Sequence, residues 1–219
     1  MDIEFIIKVL PLFEKALILT IKLGLIGVFF SLVIALFCNL ILLKQNYFLT
    51  KIVSGYIELS RNTPLLIQLF FLYYGLPKFG ITLDEEVCAI IGLSFLGGSY
   101  MSEALRAGIE AVTNNQIESG LSIGMNKIQL LRYVILPQAI SVSIPLIAAN
   151  TIFLVKETSV VGIIAVSELM NLTKSLIGIY YKTYETLLLL ILFYLIILLP
   201  LSLILSYVER KVRYAEHGN

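Results

Sequence analysis

Gln116-Ile-Glu-Ser-Gly-Leu-Ser-Ile-Gly-Met-Asn-Lys-Ile-Gln-Leu-Leu-Arg-Tyr-Val-Ile-Leu-Pro137 is a polar island between long apolar runs. Its internal spacing specifies a helix, a glycine and a second helix. Ile117 and Leu121 are four residues apart and so share one helix face. Gly124 is suited to end that helix, because glycine takes the left-handed backbone conformation a helix C-terminus requires. Asn126 can cap a second helix by accepting a backbone N–H. Ile128, Leu131 and Val134 recur every three residues and form an apolar stripe. Pro137 is expected to mark the start of the next helix. The bland reading of this element is an amphipathic helix lying on a membrane surface.

The flanks of the island place the chain in a bilayer. Of 219 residues, 58% are hydrophobic and 14% are charged, against about half and about a quarter in soluble domains. Mean hydropathy is +0.93. A membrane helix needs about twenty apolar residues. Leu23–Leu43, Tyr133–Val155 and Thr186–Val208 carry no charge over at least that length. Two shorter uncharged runs, Asn62–Pro77 and Val87–Ser102, span if their helices extend past their charged edges. The expectation is an all-α membrane protein of about five transmembrane helices, a single domain over 1–219, with a polar loop at about 110–137. The stretch Leu49–Ser60 reads as an amphipathic approach to the second span.

Lysine and arginine set orientation through the short loops. Lys44, Lys51, Arg61, Arg106, Lys127, Arg132, Arg210, Lys211 and Arg213 fall on one side; Lys8, Lys15, Lys78, Lys174 and Lys182 fall on the other. The bias favours an outside N-terminus, a cytoplasmic C-terminus and a cytoplasmic Glu118–Pro137 loop. Met1-Asp2-Ile3-Glu4 lacks the basic start of a cleavable signal, so the first span is expected to act as an uncleaved one. Tyr73, Tyr74, Tyr180, Tyr181 and Tyr184 fit an outer aromatic belt. Gly92, Gly97 and Gly98 would let helices approach closely.

The spacing Glu118, Gly124, Leu136-Pro137 resembles the cytoplasmic coupling loop of ABC importer permeases: Glu-Ala-Ala, three residues, Gly, nine residues, Ile, one residue, Leu-Pro. Here the triplet is Glu118-Ser119-Gly120 and the Ile position holds Val134. Three further segments resemble the polar amino-acid branch of that family. They are Arg61-Asn62-Thr63-Pro64-Leu65 followed by Gln68-Leu69-Phe70, then Tyr100-Met-Ser-Glu103-Ala-Leu-Arg106-Ala-Gly108, and Lys156-Glu157-Thr158-Ser159, where Lys-Asp-Thr-Ser is commoner. The resemblance implies the type I ABC importer permease fold in the bacterial cytoplasmic membrane and alternating access. It implies partners: a cytoplasmic ATPase dimer, a second identical or homologous permease, an extracytoplasmic amino-acid-binding protein and a polar amino acid as cargo. It also implies that Glu118, Ser119, Gly120, Gly124, Leu136 and Pro137 couple to the ATPase. ATP and magnesium would reside on that partner, with no cofactor in this chain.

Ionisable residues inside spans are costly and are functional candidates by default. Glu157 and Glu103 are the foremost, with Thr158, Ser159, Thr63, Asn62 and Tyr100 as polar companions along a substrate passage. The competing reading is structural ion pairing, Glu103 with Arg106 or a cross-helix partner for Lys156. Pro64, Pro137 and Pro145 are candidate bends.

Other functional classes find no support. There is no Walker-type phosphate loop, no Gly-x-Ser-x-Gly elbow and no His-Glu-x-x-His. The one histidine, His217, sits in an expected tail,. Cys38 and Cys88 lie in apolar runs and read as small core residues rather than a disulfide or metal pair. No catalytic or metal residues and no nucleic-acid partner are expected. A small intramembrane enzyme, or a non-transporting structural subunit with the same loop, remain the alternatives.

Overall fold

The computed structural model describes residues 1–44 and 46–217, with side chains up to Val212. Among the described residues every regular element is helical. The first helix, α1, runs Ile3–Leu43 and is capped by the Asp2 carboxylate, which accepts from Phe5 N at 3.0 Å. At 1.5 Å per residue, 41 residues reach about 60 Å, about twice the hydrocarbon core. The uncharged run from Leu23 is only its second half. Lys8, Glu14, Lys15 and Lys22 interrupt the hydropathy of the first half but not its helix.

Helix α2, Tyr47–Arg61, is the amphipathic segment expected before the second span. Val53 and Ile57 bury against Ile34, Cys38 and Ile41 of α1. The chain then breaks at residues 62–64 and resumes as α3, Leu65–Phe70, whose apolar helix continues through a π-helical turn at Phe71–Gly75 and a 3-10 turn to Phe79. Next come α4, Glu85–Glu110, and α5, Asn114–Ser122. Helix α6, Lys127–Leu130, passes through a π-helical turn at Leu131–Ile135 into α7, Leu136–Glu157, and ends in a 3-10 turn at Thr158–Ile164. Last are α8, Leu169–Tyr180, and α9, Thr183–His217.

Four of these helices are long and apolar enough to cross a membrane: Ile3–Leu43, Glu85–Glu110, Lys127–Ile164 and Thr183–Val212. The fifth expected span is the shorter Leu65–Phe79. It is about 22 Å long at 1.5 Å per residue, so α2 must supply the rest of that crossing.

Pro137 stands in the first turn of α7, as expected, but α7 continues an existing helix rather than following a break. The chain is already helical from Lys127. Proline lacks an N–H and its ring crowds the carbonyl four residues earlier. The π turn at Leu131–Ile135 widens the helix just before Pro137 and absorbs both defects,. The π turn at Phe71–Gly75 stands in the same relation to Pro77.

Helix α4 is the centre of the bundle, packed against α1, α2, α3 and α7. Gly97 makes this possible: a Cβ there would collide with Ser31 Oγ and Leu154 Cδ1, so α1, α4 and α7 can pack closely around it. Polar bonds across the helices fix the register. Asn39 Nδ2 donates to Ser102 O at 3.0 Å and Ser102 Oγ at 3.1 Å, and Tyr56 Oη donates to Phe95 O at 2.7 Å. Cys38 and Cys88 are free and buried in separate apolar clusters.

Alternating helix directions place residues 1–22, 79–86 and 165–185 in one half of the bundle, where Leu169 N donates to Thr20 Oγ1 at 3.3 Å. Asp2 N donates to Glu185 Oε1 at 2.9 Å, Lys182 pairs with Asp2 at 3.2 Å, and Lys22 pairs with Glu86 at 2.6 Å. Tyr180, Tyr181 and Tyr184 are exposed in this half. The 44–46 and 111–126 connections and the end of α9 lie in the other. Glu168, which the sequence did not single out, is fully buried in the first half. It caps α8 by accepting from Met170 N and Asn171 N, both at 2.7 Å. Burial pushes its carboxyl up to about 7, against the downward pull of those two N–H groups and of Lys174.

Candidate functional site

The break between α2 and α3 lies against the middle of α4 and the end of α7. Non-helical backbone at membrane depth is tolerated only where its polar groups are satisfied by protein or face a wet cavity. Here side chains do much of this. Asn62 Nδ2 donates to Glu58 O at 2.8 Å and Thr63 Oγ1 to Leu59 O at 2.7 Å. Gln68 Nε2 reaches back to Ser60 O at 3.2 Å and Thr63 O at 3.0 Å. Ser60 Oγ meets Ser99 Oγ at 2.9 Å and ties the corner to α4.

A cavity of about 350 Å³ opens at this corner. Asn62, Thr63, Tyr100 and Glu157 all line it, joined by Arg61, Leu65, Leu96, Phe153 and Val160. These polar residues come from three segments separated by tens of residues. Two other candidates stand apart. Thr158 is fully buried, its hydroxyl donating to Val155 O at 2.7 Å, and neither it nor half-buried Ser159 lines the cavity. Residues one and two positions after Glu157 do not share its helix face.

Glu103 also lies outside the lining. Its Oε2 accepts from Arg106 Nη2 at 2.7 Å and faces Arg61 Nη1 at 3.2 Å; Arg106 in turn pairs with Glu110 at 3.7 Å. The intrahelical Glu103–Arg106 pair was legible from the i, i+3 spacing. Its extension to Arg61 was not. Arg61, counted among the loop charges from sequence, lines the cavity and sits over the Tyr100 ring at 5.4 Å. A pair this exposed stabilises the fold by at most about 1 kcal/mol, so its main effect is to hold the guanidinium in place.

The helix–Gly–helix element stands as read. Gly124 has φ +84, in the left-handed region. Asn126 Oδ1 accepts from Ile128 N at 3.0 Å and Gln129 N at 2.9 Å, while Gln129 Oε1 accepts from Asn126 N at 2.9 Å. Gly120 is the buried contact between the two helices: a Cβ there would meet Leu130 Cδ1 at 2.6 Å. Glu118 and Ser119 are exposed on the outer side, as are Leu136 and Pro137 on the following turn. Leu121, Ile123, Ile128 and Leu131 expose between 46% and 77% of their surface. The chain leaves this apolar face uncovered at a polar loop, the character of a docking surface.

Comparison with known proteins bears on both regions. The probable amino-acid ABC transporter permease protein PatM of Vibrio harveyi is 33% identical over 217 residues, covering 98% of this chain and 97% of that one. The L-cystine transport system permease protein TcyB of Bacillus subtilis is 38% identical over 161 residues, 74% of this chain and 69% of that one. A crystal structure of an amino acid ABC transporter with histidines superimposes with a TM-score of 0.89 at 32% identity, covering 96% of this chain and 99% of that one. Residues 24–214 match the family described as binding-protein-dependent transport system inner membrane component. The chain belongs to that family: it is a membrane permease subunit of an ABC importer, and ATP hydrolysis falls to a separate partner.

Proposed function

We propose that this permease carries a polar amino acid across the bacterial cytoplasmic membrane through the cavity at the α2–α3 corner. One observation carries the reading. Asn62, Thr63, Tyr100 and Glu157 converge on a single cavity beside a helix break, the arrangement in which transporters place substrate sites at membrane depth. Glu157 supplies a carboxylate for the cargo's ammonium. The amino-acid transport named for PatM, for TcyB and for the superimposed structure supports the substrate class.

The rest of the assembly follows from the same reading. The exposed apolar face of α5 and α6 receives one subunit of a cytoplasmic ATPase dimer, which holds ATP and magnesium. A second permease, identical or homologous, completes the pathway, and an extracytoplasmic binding protein delivers cargo. The whole chain, 1–219, acts as one permease domain. Closure of the ATPase dimer moves the two α5–α6 elements together and tilts the membrane halves, a rigid-body alternation of access. The N-terminus lies outside and the C-terminus in the cytoplasm. Setting Arg61 aside as a cavity residue leaves eight cations against five, and the bias keeps its sign.

Orientation has a direct test. Single cysteines replacing Lys78 and Lys127, in a background lacking Cys38 and Cys88, are exposed to an impermeant thiol reagent on intact cells. Position 78 should label and position 127 should not until the cells are opened; the reverse pattern inverts the topology. In vesicles holding the permease, ATPase and binding protein, labelled amino acid should accumulate only with ATP on the ATPase side. Accumulation indifferent to ATP would refute an ATP-driven importer.

A further inference from the structure

We propose that Arg61 reads the α-carboxylate of the cargo, that Glu103 is the positioning residue that aims it, and that the cavity therefore selects amino acids with uncharged side chains. This rests on the proposed function above and deepens it. A zwitterion needs an acceptor for its ammonium and donors for its carboxylate. Among the described residues, Glu157 is the only carboxylate lining the cavity and Arg61 the only cation. Among the described residues the Arg61 guanidinium makes one ion pair, with Glu103 at 3.2 Å, and lies over the face of Tyr100. No described residue takes up its planar fork of N–H donors as a hydrogen-bond acceptor. Such a fork matches a carboxylate in two parallel bonds, which a lysine cannot reproduce.

Glu103 meets Arg61 through the same Oε2 that accepts from Arg106 at 2.7 Å, at the Nη1 atom of Arg61. That contact steadies the guanidinium at Nη1, while Arg61 itself lines the cavity. Ring contact with Tyr100 fixes the plane,. Once Arg61 and Glu157 are engaged by the two α-groups, no further charged side chain among this chain's described residues lines the cavity for the cargo's side chain. It meets apolar groups such as Leu96 and Phe153, and the Thr63 hydroxyl is already bonded to Leu59 O. An extra charge buried there without a partner is costly.

The test measures binding to the purified permease–ATPase complex without binding protein, using labelled L-glutamine as probe. Competitors are unlabelled L-glutamine, L-glutaminamide, L-arginine and L-glutamate. The parent should favour L-glutamine over its amide by at least about tenfold, the value of one charge-assisted pair, and should bind L-arginine and L-glutamate more weakly. Arg61→Lys and Arg61→Gln should assemble normally and bring the glutamine-to-amide ratio toward one. Glu103→Gln should lower the ratio and Glu103→Asp should restore it, a rescue that loss of general structure would not show. A ratio that survives both Arg61 substitutions, or a parent that prefers L-arginine or L-glutamate, overturns the inference while leaving amino-acid transport intact. If no amino acid binds the parental complex, the proposed function falls and this inference with it.

Discussion

Glu157→Gln should reduce amino-acid uptake by the assembled complex about ten- to a hundredfold, with no loss of assembly. A hydrogen bond to a charged group is worth about 1.5–3 kcal/mol, and each 1.4 kcal/mol is about a factor of ten. Glutamine keeps the shape of the side chain and removes the charge the ammonium needs. The residue is half-buried at the end of α7 and makes no ion pair among the described residues. Its neutralisation therefore breaks no internal contact. Uptake equal to the parent across a range of concentrations would make Glu157 a structural residue. Failure to assemble would show instead that its charge is needed by a partner chain.

Gly120→Leu should abolish substrate-stimulated ATP hydrolysis while leaving insertion and the bundle intact. A Cβ at Gly120 already crowds Leu130, and the further branch of leucine must push α5 away from α6. That displaces Leu121 and Ile123 relative to Ile128 and Leu131, so the exposed apolar face no longer presents one surface. Overpacking a close contact typically costs about 1–3 kcal/mol. Here the distortion falls on a loop outside the bilayer rather than on the core. Glu118→Lys, at an exposed position of the same element, should lower stimulation less. The readout is ATP hydrolysis in vesicles with and without loaded binding protein. Undiminished stimulation in Gly120→Leu would separate this element from the ATPase.

Much of this arrangement was legible in the sequence because it depends on local geometry. Gly124 and Asn126 act within a few residues of themselves, and both adopt the turn and cap that their chemistry favours. The apolar runs gave five helices, since hydropathy over about twenty residues is a property of the chain alone. It failed at the first half of α1, where Lys8, Glu14, Lys15 and Lys22 end the apolar run while the helix continues. A charge ends a hydropathy window but does not end a helix. That α7 continues a helix already running from Lys127 was not legible for a related reason. A π turn is a response to proline that leaves no pattern of its own.

The cavity was legible in part. Asn62, Thr63, Tyr100 and Glu157 were singled out from separate motifs, and the fold brings them to one place. Spacing identifies which residues share a helix face but not which face a neighbouring helix will meet. Hence Arg61 was counted as a loop charge, and the second partner of Glu103 went unseen. Thr158 and Ser159 were grouped with Glu157 as sequence neighbours, yet neighbours one and two positions apart on a helix point to different faces. Glu168 drew no attention, because a capping carboxylate looks like any acidic residue before a helix until its burial is known.

The central claim is that the amino acid passes through the cavity at the α2–α3 corner. Its most direct measurement is the alkylation rate of Asn62→Cys in a complex lacking Cys38 and Cys88, with and without a saturating transported amino acid. Asn62 lines this cavity, and Lys127→Cys at the start of α6 serves as the control. The account predicts that the amino acid slows alkylation at position 62 and leaves position 127 unchanged. Equal rates at position 62 with and without cargo, in a complex that still transports it, would contradict the account.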